Sequence, residues 1–117
     1  MIPTPFTHTT AQNAFIYEDR GNSDVVHVFG EIDLSSSPEL ETMLDQCGAG
    51  RRVIVDLSEC RYADSSVLAV LVRAHKRFGN KLCVVAREGG TIRRLFRITG
   101  VDTLFALEPT LEAADSR

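Results

Sequence analysis

The stretch from Arg51 to Phe78, RRVIVDLSECRYADSSVLAVLVRAHKRF, constrains the fold more than any other part of the chain. Val53, Ile54, Val55 and Leu57 form a dense run rich in β-branched residues, the signature of a strand covered on both faces. The ECRYA segment that follows is less apolar and reads as a connection. Asp64-Ser65-Ser66 then meets an apolar segment from Val67 to Phe78. Asp and Ser favour helix starts because their oxygens accept from backbone N–H groups that have no partner within the helix. This order places Ser65 and Ser66 at the carboxyl end of a strand and the mouth of a helix, where open α/β folds hold their chemistry. The dipole and open N–H groups of a helix start favour an anion. A phosphate on a serine there would add about −1.5 to −2 charges to the surface. The same residues also make an ordinary N-cap.

The rest of the chain supplies a sheet and its cover. Residues 1–13, with Pro3, Pro5 and several threonines, read as a flexible arm. Residues 14–19 and 25–32 read as two strands joined by the turn residues 20–24, hence an antiparallel hairpin with His27 on its less buried face. Ser37 is the expected N-cap and Pro38 the first residue of a helix whose apolar stripe is Leu40, Met43, Leu44 and Cys47. Beyond the central helix, 81–86 reads as a strand. Residues 92–99 read as a short helix, with Ile92, Leu95, Phe96 and Ile98 as candidate inward positions and Arg93, Arg94 and Arg97 on the other side. Residues 104–107 read as an edge strand and 110–114 as a last helical turn or two. Strands alternating with helices require parallel pairing and right-handed crossovers. The expectation is a single α/β domain over residues 14–117. Its sheet is mixed and mostly parallel, with an antiparallel opening, and about four helices flank it.

Composition excludes several function classes. With 117 residues the chain is long enough for one domain with a real core. A net charge of −3 gives no general attraction to nucleic acid or to an anionic membrane. The N-terminus has no basic region followed by a long apolar one, so a cytoplasmic protein is the default. Cys47, Cys60 and Cys83 are odd in number and form no CxxC, which argues against a disulfide framework. His8, His27 and His75 are scattered, so neither metal nor cofactor is expected. A serine nucleophile needs a base within hydrogen-bond reach. His75 lies ten residues beyond Ser65, roughly 15 Å along a helix. Neither GxSxG, GxxxxGK[ST] nor GxGxxG occurs. The chain is therefore expected to bind rather than to catalyse.

Four fragments, in order, carry a family resemblance: GEID at 30–33, SSPEL at 36–40, VIVDLSECRYADSS at 53–66 and TIRRLFRITGVDTLF at 91–105. Together they resemble the STAS domain, and more closely the bacterial anti-sigma factor antagonists, over residues 14 to 115. The resemblance implies that Ser65, the serine directly after the aspartate, is phosphorylated by an anti-sigma factor that is also a serine kinase. Unphosphorylated, such an antagonist binds that kinase and a sigma factor is released; phosphorylated, it lets go, and a serine phosphatase restores it. Asp33, Ser35, Ser36, Asp64, Ser65, Ser66 and Val67 are the residues the resemblance assigns to partner binding. The family pattern is DSSG, and Val67 stands here in place of the glycine. A β-branched residue hinders close backbone approach. The alternative is a non-phosphorylated STAS adaptor that holds its partner constitutively in a signalling or transport assembly.

Overall fold

A computed structural model describes residues 7–9, 12–48 and 50–117, with side chains from residue 12 onward. Its strands are Thr7–Thr9 (β1), Asn13–Asp19 (β2), Ser23–Ile32 (β3), Arg52–Ala63 (β4), Leu82–Val85 (β5) and Ala106–Glu108 (β6). Its helices are Ser37–Asp45 (α1), Ser65–Phe78 (α2), Thr91–Thr99 (α3) and Leu111–Asp115 (α4). The strands lie in sequence order across one sheet. β1, β2 and β3 are antiparallel, whereas β3 to β6 are parallel, as the expected hairpin and crossovers require. Of the expected arm, residues 1–6, 10 and 11 lie outside the described residues, and Thr7–Thr9 pair along β2. Among the described residues no helix is long and apolar enough to cross a membrane.

The strand at 53–57 is covered on both sides because its residues serve two cores. Val53, Val55 and Leu57 belong to the larger one, with Leu40 and Leu44 of α1, Val67 and Leu71 of α2, and Ile92 and Phe96 of α3. Ile54 faces the other way, with Val25, Cys83 and Val85, beneath Ala114 and Leu111 of α4. Three helices thus cover one face of the sheet and the short α4 covers part of the other.

Three sequence expectations need correction. The ECRYA segment is not a connection, because β4 runs on to Ala63 alongside β3. Cys60 and Ala63 are its buried positions, three apart rather than two, so no alternation marks it as strand. The N-cap of α1 is Ser36, not Ser37. Its hydroxyl engages Asp33 and not the helix, and the N–H groups of Ser36 and Ser37 donate to the Asp33 carbonyl at 3.1 and 2.9 Å. Ile98, taken as inward, is 74% exposed.

Gly30 is required by its surroundings. It lies at φ +88°, and a Cβ there would collide with the Gln12 carbonyl. That carbonyl accepts from the Glu31 N–H at 3.0 Å, which holds the start of β2 against the end of β3. At the other end of the sheet Asp24 is fully buried and fully paired. It accepts from the Tyr17 hydroxyl at 2.6 Å and the Gly48 N–H at 3.1 Å, and Arg51 lies 3.2 Å away. Buried charge is tolerated only with such partners.

On the face that α4 leaves open, the His27 ring sits between Asp56 at 2.9 Å and Glu18 at 2.8 Å. The bond to Asp56 raises the His27 pKa above its ordinary value; partial burial opposes this and Glu18 reinforces it. Burial pushes Asp56 up, but its bonds from His27 and Ser58 outweigh that and hold it below the ordinary carboxylate value. The His27 bond likewise lowers Glu18. The imidazolium contribution is therefore full below about pH 6.5 and is lost as pH rises through the raised pKa. The carboxylate contributions are full above about pH 4.3 and are lost as pH falls through the lowered values. Urea unfolding should show the triad stabilising most between these limits. From pH 6 to pH 9 the wild type should lose on the order of 1–2 kcal/mol that His27→Gln does not lose. Equal slopes in the two proteins over that range would show that the triad does not set the pH dependence.

Candidate functional site at the carboxyl end of the sheet

The site follows from where two parallel strands stop. The last register pair of β3 and β4 is Ile32 with Ala63, so Asp33 and Asp64 leave the sheet side by side. The Asp64 N–H continues the ladder to the Ile32 carbonyl at 3.2 Å. After Asp33 the chain makes a tight loop. The Asp33 carboxylate accepts from the Ser35 N–H at 3.0 Å, the Ser35 hydroxyl at 2.6 Å and the Ser36 hydroxyl at 3.3 Å. The Ser35 hydroxyl bond is the main reason its pKa lies below the usual carboxylate range. Ser36 accepts in turn from the Asp33 N–H at 3.0 Å.

Asp64 ties this loop to the next helix. It is the N-cap of α2: Oδ1 accepts from the Ser66 N–H at 2.9 Å and from the Ser66 hydroxyl. Its Oδ2 accepts from the Leu34 N–H at 3.1 Å. One carboxylate thus supplies a helix cap and a bridge between loops. Each of its oxygens is engaged, which fixes the orientation of the side chain.

The two serines of the cap differ. Ser66 is half-buried and its hydroxyl is bound to Asp64. Ser65 is the first residue of α2 and is exposed, and among the described residues no group hydrogen-bonds to its hydroxyl. The arrangement presents one unencumbered hydroxyl at a helix N-terminus between two ordered loops. Asp33, Ser35, Asp64, Ser65 and Ser66 are brought together. Ser36 is buried, with its hydroxyl turned back to Asp33. Val67 is not brought to this surface, for its side chain is fully buried in the larger core.

Sequence reasoning missed two exposed apolar residues here, Leu34 at 75% and Tyr62 at 54%. Leu34 carried a readable signal, a lone apolar residue in an otherwise polar loop. Tyr62 was hidden inside the segment taken for a connection. The cysteines offer no competing chemistry. All three are buried, and burial pushes the Cys60 thiol up to about 11 and Cys47 to about 12, which leaves little thiolate at neutral pH. Among the described residues no group of three or more His, Cys, Asp or Glu could hold a metal ion.

Comparison with known proteins points one way. The family model described as "Mlab, STAS domain" matches residues 16–109. An anti-sigma factor antagonist from Mycobacterium paratuberculosis is 33% identical, with a TM-score of 0.77 over 90% of this chain and 92% of that one. A candidate anti-sigma factor antagonist from Thermotoga maritima shares the fold at 18% identity, with a TM-score of 0.69 over 87% of this chain and 92% of that one. So does the phosphorylated form of SpoIIAA, a Bacillus cell fate determinant, at 16% identity, with a TM-score of 0.62 over 87% of this chain and 97% of that one.

Two substitutions separate the cap from the core. Asp64→Ala removes the acceptor of three donors and should lower stability by about 1–2 kcal/mol. It should also raise amide exchange at Leu34 and Ser66 while leaving the sheet protected. Val67→Gly empties a fully buried position and should cost about 2–4 kcal/mol. Urea midpoints and amide exchange check both. A Val67→Gly loss under about 1 kcal/mol, the scale of glycine's backbone cost alone, would mean the helix start is not anchored by that side chain.

Proposed function

The chain belongs to the STAS-domain family of anti-sigma factor antagonists, and on that premise we propose that it binds an anti-sigma factor that is also a serine kinase. Binding frees a sigma factor, phosphorylation of Ser65 by the bound kinase ends the complex, and a serine phosphatase resets it. The observation that carries this reading is the contrast between neighbours: the Ser65 hydroxyl is exposed and unengaged among the described residues, whereas Ser66 is held by Asp64. A kinase needs a hydroxyl it can reach without dismantling the fold, and only the first of the pair meets that need.

The electrostatics support a switch that acts on the complex and not on the fold. In the free protein a phosphate at the first residue of α2 sits at the positive end of a helix dipole, which offsets part of its charge. In a complex the same charge lies beside the Asp64 carboxylate and in the loop pair that also carries Asp33, with solvent excluded. Desolvation and like-charge repulsion both oppose binding there. A hundredfold loss of affinity requires only about 2.7 kcal/mol. The adaptor alternative drew on Val67 hindering close approach. With that side chain directed into the core, the substitution adds its bulk beneath the surface and not on it.

The test uses the kinase-type anti-sigma factors encoded in the source genome, each purified and titrated calorimetrically against this protein. Ser65→Ala should bind like the wild type and take up no phosphate by intact mass. Phosphorylated wild type should bind about a hundredfold more weakly, Ser65→Asp by a smaller factor, and Ser66→Ala should change little. If phosphorylated protein and Ser65→Asp both bind as tightly as the wild type while folded by circular dichroism, the switch is absent. The constitutive adaptor reading then replaces it.

A further inference from the structure

Near Ser65 the surface contains a groove between β4 and α3. Its walls are the end of β4, at Tyr62 and Ala63, and one side of α3, at Thr91, Ile92, Leu95 and Ile98, with Arg94 at the rim. Its volume is about 290 Å³. The groove adjoins the site by covalent continuity, because Ala63 directly precedes Asp64. It is held in shape by the Thr91 hydroxyl, which donates to the Arg61 carbonyl at 3.1 Å and pins the start of α3 to β4. Tyr62 and Ile98 are more than half exposed, which an isolated fold gains nothing from.

Charge distinguishes this surface from the other helical one. On the α1–α2 side each arginine is matched: Arg73 to Glu41, and Arg77 to Asp45 at 3.0 Å. Arg87 pairs with Glu59 at 3.1 Å across the β4–α3 gap. Arg94 and Arg97 of α3 have no ion pair among the described residues. They remain unmatched in a chain that carries 16 acidic side chains against 13 Lys and Arg. An apolar groove with the unmatched guanidinium of Arg94 in its lining is complementary to apolar side chains flanked by a carboxylate.

We propose that the groove between the end of β4 and α3 receives an amphipathic, carboxylate-bearing segment of the same protein partner that meets the Ser65 surface. This rests on the partner-binding reading above and adds the partner's chemistry to it. The apolar side of the segment covers Tyr62 and Ile98, and its acidic side pairs with Arg94. The groove supplies an anchor that phosphorylation does not touch, while the Ser65 surface supplies the part that the phosphate disrupts.

The experiment titrates the same purified anti-sigma factors against wild type, Ile98→Ser, Arg94→Glu, Ser65→Asp and a control, Lys81→Glu. Lys81 is exposed and lies before β5, at the other end of the sheet. Ile98 and Arg94 are exposed, so their variants should keep the wild-type urea midpoint. The expected result is a loss of roughly tenfold or more for Ile98→Ser and for Arg94→Glu, with Lys81→Glu unchanged. Wild-type affinity should fall with added salt, and Arg94→Glu should flatten that dependence. If wild type binds and Ser65→Asp weakens binding while Ile98→Ser and Arg94→Glu match wild type, the groove proposal is overturned and the Ser65 reading stands. An equal loss from Lys81→Glu also overturns it, since general charge attraction would then explain the effect. Binding of wild type to none of the anti-sigma factors removes the partner reading itself, and the groove proposal with it.

Discussion

Everything at the carboxyl end of the sheet depends on the register between β3 and β4. The two strands pair in parallel from Ser23 with Arg52 to Ile32 with Ala63. β4 has 12 residues and β3 has 10, and the two register shifts, at His27/Phe29 and Gly30/Glu31, each take up one extra residue of β4. Only after both shifts do Ile32 and Ala63 come level, and only then do Asp33 and Asp64 leave the sheet together. A missing shift would leave one aspartate a residue short and turn its side chain toward the opposite face of the sheet. Gly30 is where the second shift occurs, in a conformation and a closeness to the Gln12 carbonyl that a side chain would forbid. Gly30, which lies outside the two loops, therefore helps set the geometry in which Ser65 is presented.

The hydrogen bonds of the two loops divide the serines into structural and available ones. Asp33 engages Ser35 and Ser36, and Asp64 engages Ser66 and the backbone of Leu34. Each of these bonds satisfies a polar group that a tight loop or a helix start would otherwise leave without a partner. Ser65, the first residue of α2, need supply no capping oxygen, because Asp64 already caps the turn. Its hydroxyl is available because its neighbours fill every structural role. Beneath it, Val67 is fully buried in the core, which anchors the start of α2.

Most of the fold was legible because its signals are local. The β-branched run at 53–57, the polar cap before a long apolar segment, the Ser-Pro helix start and the glycine stops each identify an element without reference to the rest. What was not legible depends on pairing. Cys60 and Ala63 sit three apart in a strand because a bulge intervenes, and a bulge is a property of two strands, not of one sequence window. The N-cap of α1 falls on Ser36 because Asp33 draws that hydroxyl into the preceding loop, a choice that local propensity between two adjacent serines cannot make. Ile98 falls outside the buried stripe of α3, which in this short helix holds only Ile92 and Phe96 as buried positions. At the site, the family-like spacing pointed to the loops that follow β3 and β4, which the structure places side by side. It did not distinguish residues that face out, such as Ser65 and Leu34, from those that face in, such as Ser36 and Val67.

The two ends of the sheet treat their polar groups in opposite ways. At the amino end of β3, Asp24 is fully buried, and Tyr17, Gly48 and Arg51 converge on it. Burial, and then the bond to Asp24, drives the Tyr17 hydroxyl far above its ordinary pKa, so it remains a hydrogen-bond donor across the physiological range. Polar groups closed on one another in this way contribute to holding the β2–β3 turn against the loop before β4, and they offer nothing to a partner. At the carboxyl end the closure is incomplete: among the described residues the Ser65 hydroxyl, the Arg94 guanidinium and the side chains of Leu34, Tyr62 and Ile98 remain exposed. A domain of this size has enough apolar surface to bury and enough acidic residues to match its arginines elsewhere. These groups lie on adjoining elements near Ser65, and an unmatched cation beside exposed apolar side chains is the surface composition that distinguishes this end of the sheet from the closed one.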